Sequence, residues 1–178
     1  MFSYPKFSTL GKSGNNQLLA FVNPRIQPEE YYENNALNIP FRVAADHFQP
    51  VLDVTFDGVK IMNGDFVSNT PLVSVSLKDE NKFLIKSDTS GMVLLLTRPC
   101  SGCQTERIPF NSPQVKVYPA GPDNLFRLEY RPEKLENGIY RLAVQGADVK
   151  GNLSGSNVYQ VEFNVLDQNT ITNFYPYP

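Results

Sequence analysis

The sequence predicts an all-β chain folded as an antiparallel sandwich, and three observations carry that reading. No stretch sustains the 3.6-residue apolar period of an amphipathic helix. Short apolar or alternating runs recur instead, at roughly the 8–12-residue spacing of sandwich and barrel strands. Turn residues separate them, including Asp57-Gly58 and Asn63-Gly64-Asp65, which mark tight reversals.

Taken in order, the first strand is expected over Leu18 to Val22, stopped by Asn23-Pro24. Leu37 to Val43 follows, with Leu37, Ile39, Phe41 and Val43 on one face. Val51 to Phe56 ends at Asp57-Gly58, and Val59 to Met62 runs into Asn63-Gly64. Leu72 to Leu77 alternates serine with apolar residues, and Phe83 to Ile85 is short. Met92 to Thr97 is continuously apolar, as a strand buried on both faces would be. Gln104 to Pro109, Val115 to Tyr118, Leu125 to Tyr130, Tyr140 to Val144 and Val158 to Val165 complete the pattern. Only Pro132 to Asn137 reads as a candidate helical turn.

Composition breaks near Ala44-Ala45-Asp46-His47 and Asp167-Gln168-Asn169 divide the chain into residues 1–45, a sandwich over 46–167 and a tail over 168–178. The first piece holds two or three strands, marginal alone in water, and is expected to complete a neighbouring sheet or to form an extended β arm.

Of 178 residues, 16 are basic and 18 acidic, with no dense basic cluster to grip phosphates. Nucleic acid is therefore not expected as a partner. The longest apolar runs fall far short of the ~20 residues that span a bilayer, so no direct membrane insertion is expected.

The residues that could carry chemistry have plainer readings. Cys100-Ser101-Gly102-Cys103 supplies two metal ligands where a structural zinc site wants four, and it sits between β patterns rather than opening a helix. A loop-tip disulfide between Cys100 and Cys103 is favoured over two exposed thiols. His47 is the only histidine and reads as a solvated linker residue, with no nucleophile elbow in the chain. Asp53, Asp57, Asp65, Asp79, Glu80, Asp88 and Asp148 recur at turns, where Asp bonds its own backbone; no calcium-loop spacing accompanies them. No catalytic residue, metal or cofactor is assigned, and an enzyme is not expected. Tyr140, just after Asn137-Gly138, is placed to bury its ring and return its hydroxyl to the backbone, as in the tyrosine corner of sandwich folds.

Several segments together resemble a known family. Pro50 to Gly58, Gly64 to Ser68, Leu77 to Asn81, Gly138-Ile139-Tyr140, Ala147-Asp148, Gly151-Asn152 and Phe163-Asn164-Val165 resemble an immunoglobulin-like domain of Bacteroidota surface proteins exported by the type IX secretion system. Asn169 to Pro178 looks like the lead-in to that system's C-terminal sorting domain, which itself is missing here. Leu18 to Pro24 with Glu33 to Phe41 resembles the last hairpin of a CARDB-like adhesion module. Some parents of this kind carry a gingipain-like cysteine peptidase, though no peptidase motif occurs in this chain. The Cys-x-x-Cys loop is no part of the family pattern.

The resemblance implies an immunoglobulin- or fibronectin-III-like sandwich displayed at the outer cell surface or released from it, in a setting that suits an oxidised cysteine pair. It implies a non-catalytic structural spacer placed before a sorting signal, with neighbouring domains and the secretion machinery as partners. The alternatives are an adhesion module for glycans or proteins, and an accessory domain of a surface cysteine peptidase or sortase. For adhesion, Phe126, Tyr118 and the Tyr31-Tyr32 pair are the candidate aromatic platforms, with core packing the default for most of them.

Overall fold

The computed structural model describes residues 13–23, 26–99, 102 and 104–166. The chain divides into two compact units, Met1–His47 and Phe48–Pro178.

The first unit is a two-stranded antiparallel ribbon, β1 (Gly14–Phe21) and β2 (Ala36–Val43), with Leu18 opposite Ile39 and Ala20 opposite Leu37. Residues opposite one another share a face, so Leu18, Leu37, Ile39 and Phe41 form one apolar side. The connection between the strands is organised by Asn23. Its side-chain oxygen accepts the Ile26 and Gln27 N–H groups, and its amide donates to the Gln27 carbonyl and to Glu29. Asn35 donates to the same Glu29 carboxylate at 2.6 Å. A single 3-10 turn, Glu33–Asn35, leads into β2.

The second unit is the predicted sandwich. Its strands are β3 (Val51–Phe56), β4 (Phe66–Val67), β5 (Val73–Lys78), β6 (Val93–Thr97), β7 (Glu106–Arg107), β8 (Val115–Tyr118), β9 (Leu125–Tyr130), β10 (Gly138–Gln145) and β11 (Tyr159–Val165). They form a four-stranded sheet in the order β3-β5-β9-β8 and a five-stranded sheet in the order β4-β11-β10-β6-β7. Every pairing is antiparallel except β4 with β11.

Period-2 alternation supplies the core. Val54 and Phe56, Val75 and Leu77, and Phe126, Leu128 and Tyr130 point inward from one sheet. Leu94 and Leu96, Tyr140, Leu142 and Val144, and Val161 and Phe163 meet them from the other. Phe163 holds the centre, 5.0 Å from the Phe56 ring and 5.6 Å from Tyr140. Burying such side chains stabilises by about 1.5–3 kcal/mol each before entropy is counted.

Asp57-Gly58 makes the expected reversal after β3. Both residues have positive φ, 49° and 83°, and Phe56 bridges Val59 as a two-residue hairpin of the favoured twist requires. Next, Asn63 to Asp65 clamp the chain onto β11. The Gly64 N–H donates to the Glu162 carbonyl, the Glu162 N–H to the Asn63 side chain, and the Asn164 N–H to the Asp65 carbonyl.

Four sequence expectations need correction. Val59 to Met62 is not a strand, because the Met62 N–H is taken by the Asp65 carboxylate. Phe83 to Ile85 is irregular, because the Asn81 side chain accepts the Phe83 and Leu84 N–H groups. Pro132 to Asn137 contains no helical turn. Met92 to Thr97 is not buried on both faces: Leu94 and Leu96 are buried, whereas Val93, Leu95 and Thr97 are half-buried.

Candidate functional site

Two groups of polar residues stand out on the sandwich, one at a loop end and one on a sheet face. At the loop end, Asn124 sits with φ 49° and 1% exposure. Its side-chain oxygen accepts the Lys86 N–H at 3.0 Å, and its amide donates to the Asn81 and Leu84 carbonyls at 2.6 and 3.1 Å. One short side chain thereby replaces the ladder that the segment after β5 does not make. Lys86 is itself buried, with Nζ over the Phe126 ring and donating to the Ser90 carbonyl at 2.5 Å. Burial pulls the lysine pKa below its usual range, against the opposing pull of Asp88 and Asp148.

The carboxylates that the sequence places at turns are mostly occupied in holding those turns. Asp148 accepts the Lys150 and Asn152 N–H groups and the Asn152 amide. Asp57 accepts the Leu72 N–H and the Ser68 hydroxyl. Asp65 accepts Met62, Asp79 accepts Asn81, and Asp88 accepts both the N–H and the hydroxyl of Ser90. Asp53 pairs with Lys60 at 2.6 Å on an exposed surface, a contact worth little energy in water. Asp79 and Asp148, both buried, bring carboxylate oxygens within 4.8 Å of each other at this end.

The outer face of the four-stranded sheet carries ordered polar rows. Register places Asp53, Ser76, Arg127 and Tyr118 in one row, and Thr55, Ser74, Glu129 and Lys116 in the next. The Tyr118 hydroxyl donates to Glu129 at 3.0 Å, and the Arg127 guanidinium lies 5.8 Å from the Tyr118 ring centre. Hydrogen bonding to the Glu129 carboxylate raises the tyrosine pKa.

Of the four predicted aromatic platforms, Phe126 is wrong. It is 0% exposed, because it shares the inward phase of β9 with Leu128 and Tyr130. Tyr118 has the outward phase and is 39% exposed. Tyr31 is exposed, while Tyr32 donates its hydroxyl to the Gln27 carbonyl and accepts the Glu29 N–H. His47 is exposed. The candidate disulfide residues Cys100 and Cys103 lie outside the described residues. The sheet-face rows were not foreseen. Their only sequence signal is the shared phase of serines and charges in three separated strands.

Comparison with known proteins yields only distant likenesses. No protein-family model matches the chain, and no curated protein matches it. Solved structures similar to it include CopC from Methylosinus trichosporium OB3b, 13% identical, with a TM-score of 0.42 over 71% of this chain and 100% of that one. Another is the archaellum periplasmic stator protein FlaG from Sulfolobus acidocaldarius, 14% identical, with a TM-score of 0.34 over 65% of this chain and 98% of that one. At these scores neither likeness carries an argument about this chain, whose fold rests on its own strand order. The chain is an all-β, immunoglobulin- or fibronectin-III-like antiparallel sandwich preceded by a β-ribbon. Among the described residues, no helix is long and apolar enough to cross a membrane.

Proposed function

We propose that the sandwich is a non-catalytic spacer module of a type IX-secreted cell-surface protein, placed between upstream domains and a sorting signal. The export route rests on the sequence resemblance, and one observation supports the spacer geometry: β3 begins at one end of the sandwich and β11 finishes at the other. Val51 lies opposite Lys78, beside the loop end where Asp79 and Asp148 meet. Val165 lies opposite Gly138 and beside Val67, at the far end. A chain that passes through a rigid body from end to end is lengthened by it. The eight residues of β10 alone span about 26 Å at ~3.3 Å per residue.

The occupied carboxylates support the same reading, since their chemistry goes into fixing turns. Fractionation of the native host tests it, with the C-terminus of the mature protein mapped by mass. The expected result is a protein at the outer surface or in the medium, with an encoded downstream segment removed. Retention in the cytosol, with no such segment encoded, overturns the proposal.

A further inference from the structure

Two depressions adjoin on the outer side of the four-stranded sheet, one over its face and one running off it into the flanking loops, and Glu129 lines both. The first, about 180 Å³, runs over Ser74 and Ser76 between Asp53, Arg127 and Glu129. The second, about 320 Å³, continues past Glu129 over Leu72, Pro113 and Pro132, between Lys116 and Arg131. The larger one alone reaches the lower end of the usual size of a small-molecule site, ~300–1,000 Å³. Together they follow the extended chain of β5 and the residue before it, from Ser76 to Leu72, four residue steps or about 13 Å. The form is a shallow linear trough with a hydroxyl-lined half and an apolar half.

We infer that this trough binds a short run of a neutral polysaccharide. Serine and threonine hydroxyls both donate and accept, Arg127 and Arg131 donate, and Glu129 accepts, which matches a ligand whose groups are all hydroxyls. Leu72, Pro113 and Pro132 present apolar surface to the C–H face of a sugar ring, and Tyr118, opposite Arg127 in register, adds an exposed aromatic ring beside the trough and bonds the shared Glu129.

The charges select against other classes. Lys116, Arg127, Arg131 and the Lys60 paired with Asp53 face Asp53, Glu129 and Glu133, so the trough has one excess positive charge, a weak field for a polyanion that needs several such contacts. An extended peptide recognised by strand addition needs the free backbone of a sheet edge. The smaller depression lies on a face, over strands whose neighbours already pair with them, and the larger runs into the loops at Pro113, Gln114, Pro132 and Glu133, where Lys116 alone belongs to an edge strand.

This inference goes beyond the spacer reading and stands apart from it: a spacer need not bind, and binding needs no particular export route. The test is an NMR titration of the full ¹⁵N-labelled chain with cellohexaose, xylohexaose and mannohexaose, alongside a heparin hexasaccharide and decaproline. At least one neutral probe is expected to shift the amides of Ser74, Ser76, Glu129 and Arg131. Ser74→Arg, which fills the trough, is expected to weaken that binding at least tenfold. Arg141→Ala, on the outer face of the other sheet, is expected to leave it unchanged. Should Ser74→Arg fail to fold, Tyr118→Ser beside the trough is expected to weaken binding likewise. The inference is overturned if no neutral probe shifts these amides, if only the heparin fragment or decaproline does, or if the trough variants bind as the parent does.

Discussion

The Tyr140 ring lies nearly parallel to that of Phe163, 15° between planes, while the Tyr140 hydroxyl donates to the Glu136 carbonyl four residues back. One side chain thus ties the turn before β10 to the centre of the core. Removing only the hydroxyl, in Tyr140→Phe, is expected to cost about 1 kcal/mol, the usual net worth of such a bond. Tyr140→Ala is expected to cost about 3–5 kcal/mol, the range for truncating a buried large aromatic. Urea denaturation of both variants measures the two steps separately.

Tyr130, Tyr140 and Tyr159 all have pKa values raised above the usual tyrosine value, in each case first by burial. A raised folded-state pKa means that the unfolded chain releases these protons first. The stability they contribute is whole below about pH 10 and is lost as pH climbs through the folded values. The part of the tyrosinate absorbance that is lost in Tyr130→Phe and Tyr159→Phe variants is therefore expected to appear together with alkaline unfolding. That part appearing first, in a chain whose circular dichroism is still native, would contradict this.

Lys86 has the opposite sign. Its folded pKa is lowered by burial, so the fold disfavours the charged form, and the cost is relieved as pH rises toward the lysine's ordinary value. Lys86→Met keeps an unbranched apolar side chain beside Phe126 and removes the ammonium. The variant is expected to be more stable than the parent at pH 7, and the gap is expected to narrow by pH 10. The tyrosine contributions are common to both proteins and cancel in the difference. Paired thermal melts at the two pH values decide it, and a gap that widens with pH would refute the sign.

Much of the sandwich was legible because its signals are local. Asp57-Gly58 needs no distant partner to turn the chain, and alternation alone orients Val73, Val75 and Leu77 inward. Phe126 could have been assigned to the core by the same parity, since Leu128 and Tyr130 share its phase. What was not legible depends on contacts far along the chain. Phe83 to Ile85 has strand-like residues, but the carbonyl of Leu84 is bonded by Asn124, 40 residues away. β4 is two residues long, and its partner strand lies nearly 100 residues on. The trough is a product of register: nothing before the pairing of β3, β5, β9 and β8 sets Asp53, Ser76, Arg127 and Tyr118 abreast.

Asn124 gives the sharpest test of that long-range logic. Its side chain is the partner of one N–H and two carbonyls in the segment from Asn81 to Lys86, and its own φ is positive, which asparagine tolerates better than most residues. Asn124→Ala strands the buried Lys86 N–H, at about 1–3 kcal/mol for an unsatisfied group, and adds roughly 1 kcal/mol of left-handed strain. Asn124→Gly keeps the first cost and relieves the second. The glycine variant is therefore expected to be the more stable of the two, though both fall below the parent. Hydrogen exchange should locate the damage: amide protection lost first at Leu84 and Lys86, with β10 and β11 retaining theirs. If instead the two variants lose equal stability and exchange rises evenly across the sandwich, the loop end is not held by Asn124 in the way its hydrogen bonds indicate.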